Sequence, residues 1–452
     1  MNFTEFSLSN GILSQIEAMG YKTPTPIQKK AIPAVMQGKD VMGLAQTGTG
    51  KTAAFALPIL QKLSSGARGQ LRALIIAPTR ELAEQINDSV TALGKHTGLK
   101  STTVYGGVSA NRQVTTLKRG VDIVVACPGR LLDHIENRVV NLSRLEILVL
   151  DEADHMFDMG FLPDIRKILK HANMRKQTLL FSATMPKDIQ KLADDILKDP
   201  CHIEIDHTAP LETVEHALFP VAQHLKTDML LELLKSTDAR SILIFTRTKH
   251  RARTLDQKLQ RNGYNATSLQ GNLSQNKRQE AIGGFRAGKF KVLVATDIAA
   301  RGIDINLVSH VINYDIPDTP EAYTHRIGRT GRATKTGDAY TLVSREDRFM
   351  IRAIERLLGA ALPLRQIEGF DYNAPAPKKN NEFDRPPRPT APRRDSGRPG
   401  ENKPFRAKKP AAASADGRKN SGGWSKTRRD DGPVTWRPEN QRRREQGAQR
   451  QA

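Results

Sequence analysis

Four branched apolar residues, Ile147-Leu148-Val149-Leu150, run without interruption into Asp151-Glu152-Ala153-Asp154. A short, continuous apolar run is the pattern of a strand buried on both faces, which occurs in parallel sheets covered by helices. Carboxylates at the C-terminal end of such a strand lie where open α/β sheets take ligands. Two adjacent acids in a partly buried place call for positive charge, and hydrated Mg²⁺ is the usual answer when phosphates are near. A phosphate site lies in the same half of the chain. Ala45-Gln46-Thr47-Gly48-Thr49-Gly50-Lys51-Thr52 follows the run Val41-Met42-Gly43-Leu44 and precedes a helix-like stretch from Ala53.

Similar apolar runs recur. In the first half they are Val41–Ala45, Ala73–Ala77, Ser101–Val104, Asp122–Ala126, Ile147–Asp151 and Thr178–Ser182. In the second half they are Ser241–Thr246, Ala266–Leu269, Lys291–Thr296, His310–Asp315 and Ala339–Val343. Helical patterns such as Glu81–Leu93 and Lys249–Asn262 separate them. This alternation predicts an α/β fold of two tandem, doubly wound parallel-sheet domains. The expected boundaries are 1–207 and 215–370, with a linker at 208–214 where the pattern lapses. From 371 to 452, Pro, Gly, Ser, Lys and Arg replace the aliphatic clusters, and such a segment is expected to stay disordered.

The net charge of +22 suggests a polyanionic partner, nucleic acid first. About half of that charge falls in the tail, whose Arg and Lys could hold nucleic acid through phosphates, the alternative being a solubilising extension. Both tryptophans, Trp424 and Trp436, also lie there and could stack on bases. No run of 18 apolar residues occurs and the first residues do not read as a signal peptide, so no membrane association is expected. Two distant cysteines, Cys127 and Cys201, form no metal or disulfide pattern, in keeping with a cytoplasmic location.

Three motifs carry chemistry. Gly48 and Gly50 let backbone N–H groups approach phosphate oxygens, Lys51 can reach the β and γ phosphates, and the Thr52 hydroxyl can ligate Mg²⁺. Ala45 stands where the strict pattern has Gly. Asp151 is placed to hold Mg²⁺ through water, and Glu152 to position and deprotonate an attacking water. His325-Arg326-Ile327-Gly328-Arg329-Thr330-Gly331-Arg332 reads as a loop entering a helix, with arginines for a phosphoryl-transfer transition state.

In order and spacing, residues 1 to about 370 resemble the DEAD-box ATP-dependent RNA helicases, most closely the bacterial RhlE group. The resemblance implies two RecA-like domains, ATP and Mg²⁺ as cofactors, and RNA as single strands or short duplexes. Gly20-Tyr21-Lys22-Thr23-Pro24-Thr25-Pro26-Ile27-Gln28 resembles the adenine-reading Q motif. It implies adenine contacts from Gln28 and Tyr21, with Phe3 either stacking on the base or anchoring the N-terminal segment. Pro78-Thr79-Arg80-Glu81-Leu82-Ala83, Gly106-Gly107 and Cys127-Pro128-Gly129-Arg130 resemble backbone-gripping loops. The RNA contacts implied are Pro78, Thr79, Arg80, Gly107, Gly129 and Arg130. Cys127 replaces the usual Thr, and a thiol is the weaker donor.

Ser182-Ala183-Thr184 resembles the motif that links Asp154 and His325 to strand separation. In the second half, resemblance gives Arg247, Gly271, Arg278 and Thr296 to RNA and Asp304 to the ribose. It makes Arg329 and Arg332 arginine fingers and Arg326 part of the interdomain network. Gln270 replaces the more usual His. The activity implied is RNA-dependent ATP hydrolysis that remodels short duplexes. An ATP-gated RNA clamp or chaperone shares every motif, and a DNA helicase shares the engine. Ribosomal-precursor and RNA-decay assemblies are family-level expectations.

Overall fold

The computed structural model describes residues 2–46, 48–205, 214–237, 240–300, 308–331 and 337–376. Thr47, Asp304, Arg332, most of the expected linker and the tail beyond 376 lie outside the described residues.

The first sheet holds β1 (Val41–Leu44), β2 (Ala73–Ile76), β3 (Ser101–Val104), β4 (Ile123–Ala126), β5 (Ile147–Leu150), β6 (Gln177–Ser182) and β7 (Cys201–Glu204). The second holds β8 (Val214–Pro220), β9 (Ile242–Phe245), β10 (Ala266–Leu269), β11 (Val292–Ala295), β12 (His310–Asn313) and β13 (Gly337–Val343). Their spatial orders are β3-β4-β2-β5-β6-β1-β7 and β10-β11-β9-β12-β13-β8. Every described pairing is parallel. The eleven expected strands all form, with no end shifted by more than two residues.

The two strands without a counterpart in the sequence pattern, β7 and β8, are edge strands. Only Ile203 of Cys201–Glu204 is buried, because an edge strand need not be apolar on both faces. In the first lobe one apolar cluster, including Phe55, Ile75, Val149 and Phe181, covers one face of the sheet. A second, including Leu74, Leu148, Leu150 and Leu180, covers the other. Alternate residues of β2, β5 and β6 thus go to opposite cores, which is why their runs are unbroken.

The strand order positions the site. The central order β2-β5-β6-β1 sets Pro78-Thr79-Arg80, Asp151-Glu152, Ser182-Ala183-Thr184 and the phosphate loop side by side at the C-terminal edge. In the second sheet the same edge carries Thr246-Arg247 after β9, Gln270-Gly271 after β10 and Thr296-Asp297 after β11.

Packing continues past the expected boundary at 370. Leu218 donates to the Pro363 carbonyl (2.8 Å) and Arg365 donates back to Leu218 (2.8 Å), extending the β8 edge. Phe370, Tyr372 and Ala374 then pack on the core formed by Phe219, Leu230 and Tyr314. Ending the chain after 369 removes both aromatic rings, worth roughly 2 kcal/mol of burial. It is expected to lower the melting temperature by about 4–8 °C in thermal unfolding. Ending it after 376 should leave the melting temperature unchanged.

Candidate functional site

The phosphate loop joins β1 to the helix Lys51–Leu63. The Ala45 amide donates to the Ser182 carbonyl (3.0 Å), extending the ladder by one residue beyond β1. The ammonium of Lys51 is buried and donates to the Ala45 carbonyl (2.8 Å), so it already points into the loop. Gly48 and Gly50 have φ of 85° and 94°, and Thr49 is tied back to the Gln46 carbonyl (2.8 Å). A Cβ on Gly50 would lie 2.4 Å from Gln28 Nε2. That contact has a purpose: Gln28 Nε2 donates to the Gly50 carbonyl (3.1 Å), while Gln28 Oε1 accepts from the Thr25 amide (3.0 Å). Gln28 therefore clamps the loop to the helix Pro26–Met36 and keeps one N–H and one lone pair for a base edge.

Phe3 departs from the stacking expectation. It is 3 % exposed and packs edge-on against Phe6 (6.0 Å) and Tyr21 (6.2 Å), so no ring face is open to a base. It anchors the N-terminal segment, and half-buried Tyr21 is the ring nearer solvent.

Asp151, Glu152 and Asp154 are all buried. Burial pushes the Asp151 carboxyl up to about 6; Lys51 opposes this, while Glu152 and Asp154 add to it. A buried acid destabilised by two neighbouring acids suits a cation. Asp151 and Thr52 would hold a hydrated Mg²⁺, which needs few protein ligands when phosphates supply others. Among the described residues no cluster of three or more metal-ligating side chains occurs.

Glu152 adopts φ 52° and ψ 54°, a left-handed conformation that costs a non-glycine residue about 1–2 kcal/mol. Burial would raise its pKa, but His155, Lys51 and Arg329 outweigh it and hold it down at about 2. His155 Nδ1 lies 2.9 Å from Glu152 Oε2. Sequence reasoning missed this histidine; its only signal is a position one helical turn after Glu152. Asp154 accepts from the Thr184 hydroxyl (2.9 Å) and from the amides of Thr184 (2.9 Å), Ala183 (3.2 Å) and His155 (3.0 Å). Its own amide donates to Ser182 Oγ (3.2 Å), which donates to the Thr184 carbonyl (2.7 Å). The expected link between Asp154 and Ser182-Ala183-Thr184 is thus present. Burial works against ionised Asp154, yet His155, Lys51 and Thr184 keep its pKa lowered.

The arginine motif runs opposite to expectation. His325 and Arg326 end the helix Pro320–Ile327, and Gly328 to Gly331 form the loop leaving it. The His325 ring meets the His155 ring edge-on at 5.4 Å, bringing the two lobes together beside Glu152. Arg329 is buried and lowers the Glu152 pKa. Arg326 departs from its expected interdomain role. It grips Asp297 through two 2.6 Å bonds, donates to Asn313 (3.0 Å) and the Asp315 carbonyl (2.7 Å), and lies over the Phe245 ring. All these partners belong to its own lobe.

Arg278 exchanges roles with it. Expected on RNA, it is 9 % exposed and pairs with Glu81 of the first lobe at 2.6 Å. Gln275 adds a bond to Glu81 (3.3 Å), and Gln279 one to Glu84 (2.7 Å). Thr79 caps the helix Arg80–Leu93 through the Leu82 amide, and Pro78 is buried beside it. Arg80 lies across Gly107, where a Cβ would strike its guanidinium at 2.1 Å. Gly129 and half-buried Arg130 begin the helix Pro128–Glu136, whose cap Cys127 makes no side-chain bond; burial pushes its thiol up to about 12. In the second lobe Gly271 and Arg247 are exposed, the latter paired with Asp318 at 3.1 Å. Thr296 is buried and its carbonyl accepts from Ala299 and Ala300. Gln270 holds the Asn272 amide (2.7 Å).

Residues 25–192 match the family described as DEAD/DEAH box helicase, and residues 225–334 match the helicase conserved C-terminal domain. The chain is 44% identical over 355 residues to the DEAD-box ATP-dependent RNA helicase CshA of Bacillus cereus, covering 78% of this chain and 67% of that one. It is 43% identical over 373 residues to the DEAD-box ATP-dependent RNA helicase RhpA of Helicobacter pylori, covering 82% and 75%. Neither carries the name of the RhlE group. The structure resembles S. cerevisiae Dbp5 bound to RNA and ADP BeF3 with a TM-score of 0.73 and 31% identity, over 81% of this chain and 95% of that one.

The Glu81–Arg278 pair makes a specific demand on the lobes. Arg278→Ala leaves a buried carboxylate without its partner, at a cost of about 3–5 kcal/mol. Hydrogen exchange should accelerate in residues 80–84 and 275–279, with the central strands of both sheets unchanged. Unchanged exchange in both segments would contradict the contact.

Proposed function

We propose that this chain, which belongs to the DEAD-box ATP-dependent RNA helicases, hydrolyses ATP by completing one site from two lobes and uses the closure to remodel short RNA duplexes. The observation that carries this reading is the position of Glu152. It is bonded to His155 (2.9 Å), whose ring meets His325 of the other lobe at 5.4 Å, and Lys51 from its own lobe and Arg329 from the other both favour its ionised form.

ATP phosphates take the loop amides and the Lys51 ammonium, which exchanges the Ala45 carbonyl for them. Gln28 offers its remaining N–H and lone pair to adenine. Asp151 and Thr52 would hold a hydrated Mg²⁺, which when bound would neutralise charge on the phosphates. Glu152 is ionised at neutral pH and accepts the proton of the attacking water as the water oxygen bonds to the γ-phosphorus and the bond from that phosphorus to the β–γ bridging oxygen breaks, releasing ADP. Arg329 stabilises the charge on the transferring group, with Arg332 assigned the same task by its place in the motif. His155 and the left-handed backbone fix where the Glu152 carboxylate points.

RNA lies against the loops that carry Arg80, Gly107, Gly129, Arg130, Arg247, Gly271 and Thr296, where glycine amides and arginines suit phosphates. Arg278 is reassigned from RNA to the lobe contact. Since RNA and ATP both favour the closed arrangement, each tightens the other. We place the protein in the cytoplasm, which its two unpaired cysteines support.

Lys51→Ala is expected to abolish ATP turnover. Glu152→Gln should lower it by about 10²–10⁴-fold while ATP-dependent RNA retention persists. Both are read by steady-state ATPase and filter binding, and turnover indifferent to RNA would overturn the reading. In one unwinding assay an RNA duplex should be separated and a DNA duplex of the same sequence should not.

A further inference from the structure

The helix Arg348–Leu358 follows a short turn of 3₁₀ helix, Arg345–Asp347. Its apolar face, Met350, Ile351, Ile354 and Leu358, packs on the core that contains Tyr323 and Ile327, under the helix that carries His325 and Arg326. The opposite face is unusual. Arg345, Phe349, Arg352 and Arg356 fall at i, i+4, i+7 and i+11, which places them on one stripe about 16 Å long, with Arg348 beside it. All five are exposed, and Phe349 is 86 % exposed at the middle of the stripe.

None of the four arginines makes an ion pair or side-chain hydrogen bond among the described residues. The nearby acids do not neutralise them. Glu355 is held by the Leu362 amide (3.0 Å) and Asp347 by the Ser344 amide (2.7 Å), leaving Glu346 as the exposed acid of the segment. The mechanism uses none of these residues.

We infer that this stripe is a second RNA-binding surface, which takes single-stranded RNA extending beyond the strand held between the lobes. Guanidinium groups hold phosphates bidentately, and an uncovered ring offers a stacking face to a base. Charge decides against other occupants. The chain's own tail after 376 is strongly basic and would be repelled, and a second copy would bring the same arginines face to face. An acidic peptide would satisfy the arginines and leave the ring without a partner; single-stranded RNA satisfies both.

This inference rests on the helicase reading, so its test separates the two. The full chain, with a non-hydrolysable ATP analogue, is titrated with fluorescent single-stranded RNAs of about 10 and about 30 nucleotides. The short RNA reports the core and the long one reports the core plus the stripe. The combined variant Arg345→Gln, Arg352→Gln, Arg356→Gln is expected to bind the long RNA about tenfold more weakly, with a salt slope smaller by about 2. Phe349→Ala should weaken it about fivefold. Both should bind the short RNA, and hydrolyse ATP with it, as the unaltered protein does. Long-RNA affinity unchanged in both variants, or an equal loss at both lengths, overturns the inference. So does unchanged long-RNA affinity with loss of poly-glutamate binding, which would identify an acidic protein surface as the occupant. Failure of the unaltered protein to bind either RNA would sink the helicase reading itself.

Discussion

The carboxylate of Asp154 holds the ends of two neighbouring strands together, and the site depends on that tie. It accepts two amides and a hydroxyl from the turn after β6 while its own backbone begins the turn after β5. A buried anion is tolerable only where donors surround it. Here they also fix where Glu152 and His155 stand. Three acids within four residues would repel one another in a partly buried place. Lys51, His155 and the Thr184 donors offset that repulsion, and Arg329 adds charge from the second lobe. A change at the turn after β6 therefore reaches Glu152 through a few hydrogen bonds.

Among the described residues, two points of contact hold the lobes together, and they differ in chemistry. At the nucleotide side, the His155 and His325 rings meet edge-on beside a site that Arg329 completes. At the other, Arg278 and Gln275 converge on Glu81, at the start of the helix that Thr79 caps. Glu81 lies next to Arg80, one of the side chains assigned to RNA. A strand bound there bears on the same helix end that anchors the second lobe. On the proposed reading, the lobes would sense RNA and nucleotide without a direct contact between the two ligands.

The central strands were legible because residues buried on both faces must be apolar in sequence. Edge position alone did not hide a strand, since β3 and β10 are edges and were read; β7 escaped because only Ile203 of its four residues is buried, and β8 because Glu215 and His216 interrupt its apolar run. The phosphate loop was readable because its backbone geometry needs glycines at that spacing, and the acids because they follow a buried strand; Ser182-Ala183-Thr184, which has little specificity by itself, was read from the resemblance. Arginines were the weak point. A guanidinium has the same five donors whether it meets a phosphate, a carboxylate or a carbonyl, so the sequence did not distinguish Arg278 on Glu81 from an RNA contact. The same ambiguity hid that Arg326 serves its own lobe through Asp297. Phe3 was ambiguous for a parallel reason: a ring that packs and a ring that stacks share one sequence. His155 escaped notice because its partner, Glu152, is set by the turn geometry.

The central claim is that ATP and RNA together favour the contacts described. It is tested most directly by the distance between donor and acceptor dyes at exposed positions 188 and 235, one on each lobe, measured on single molecules. The short-distance state should dominate only when an ATP analogue and RNA are both present, and Arg278→Ala should deplete it. An identical distribution with neither, either or both ligands would contradict the account.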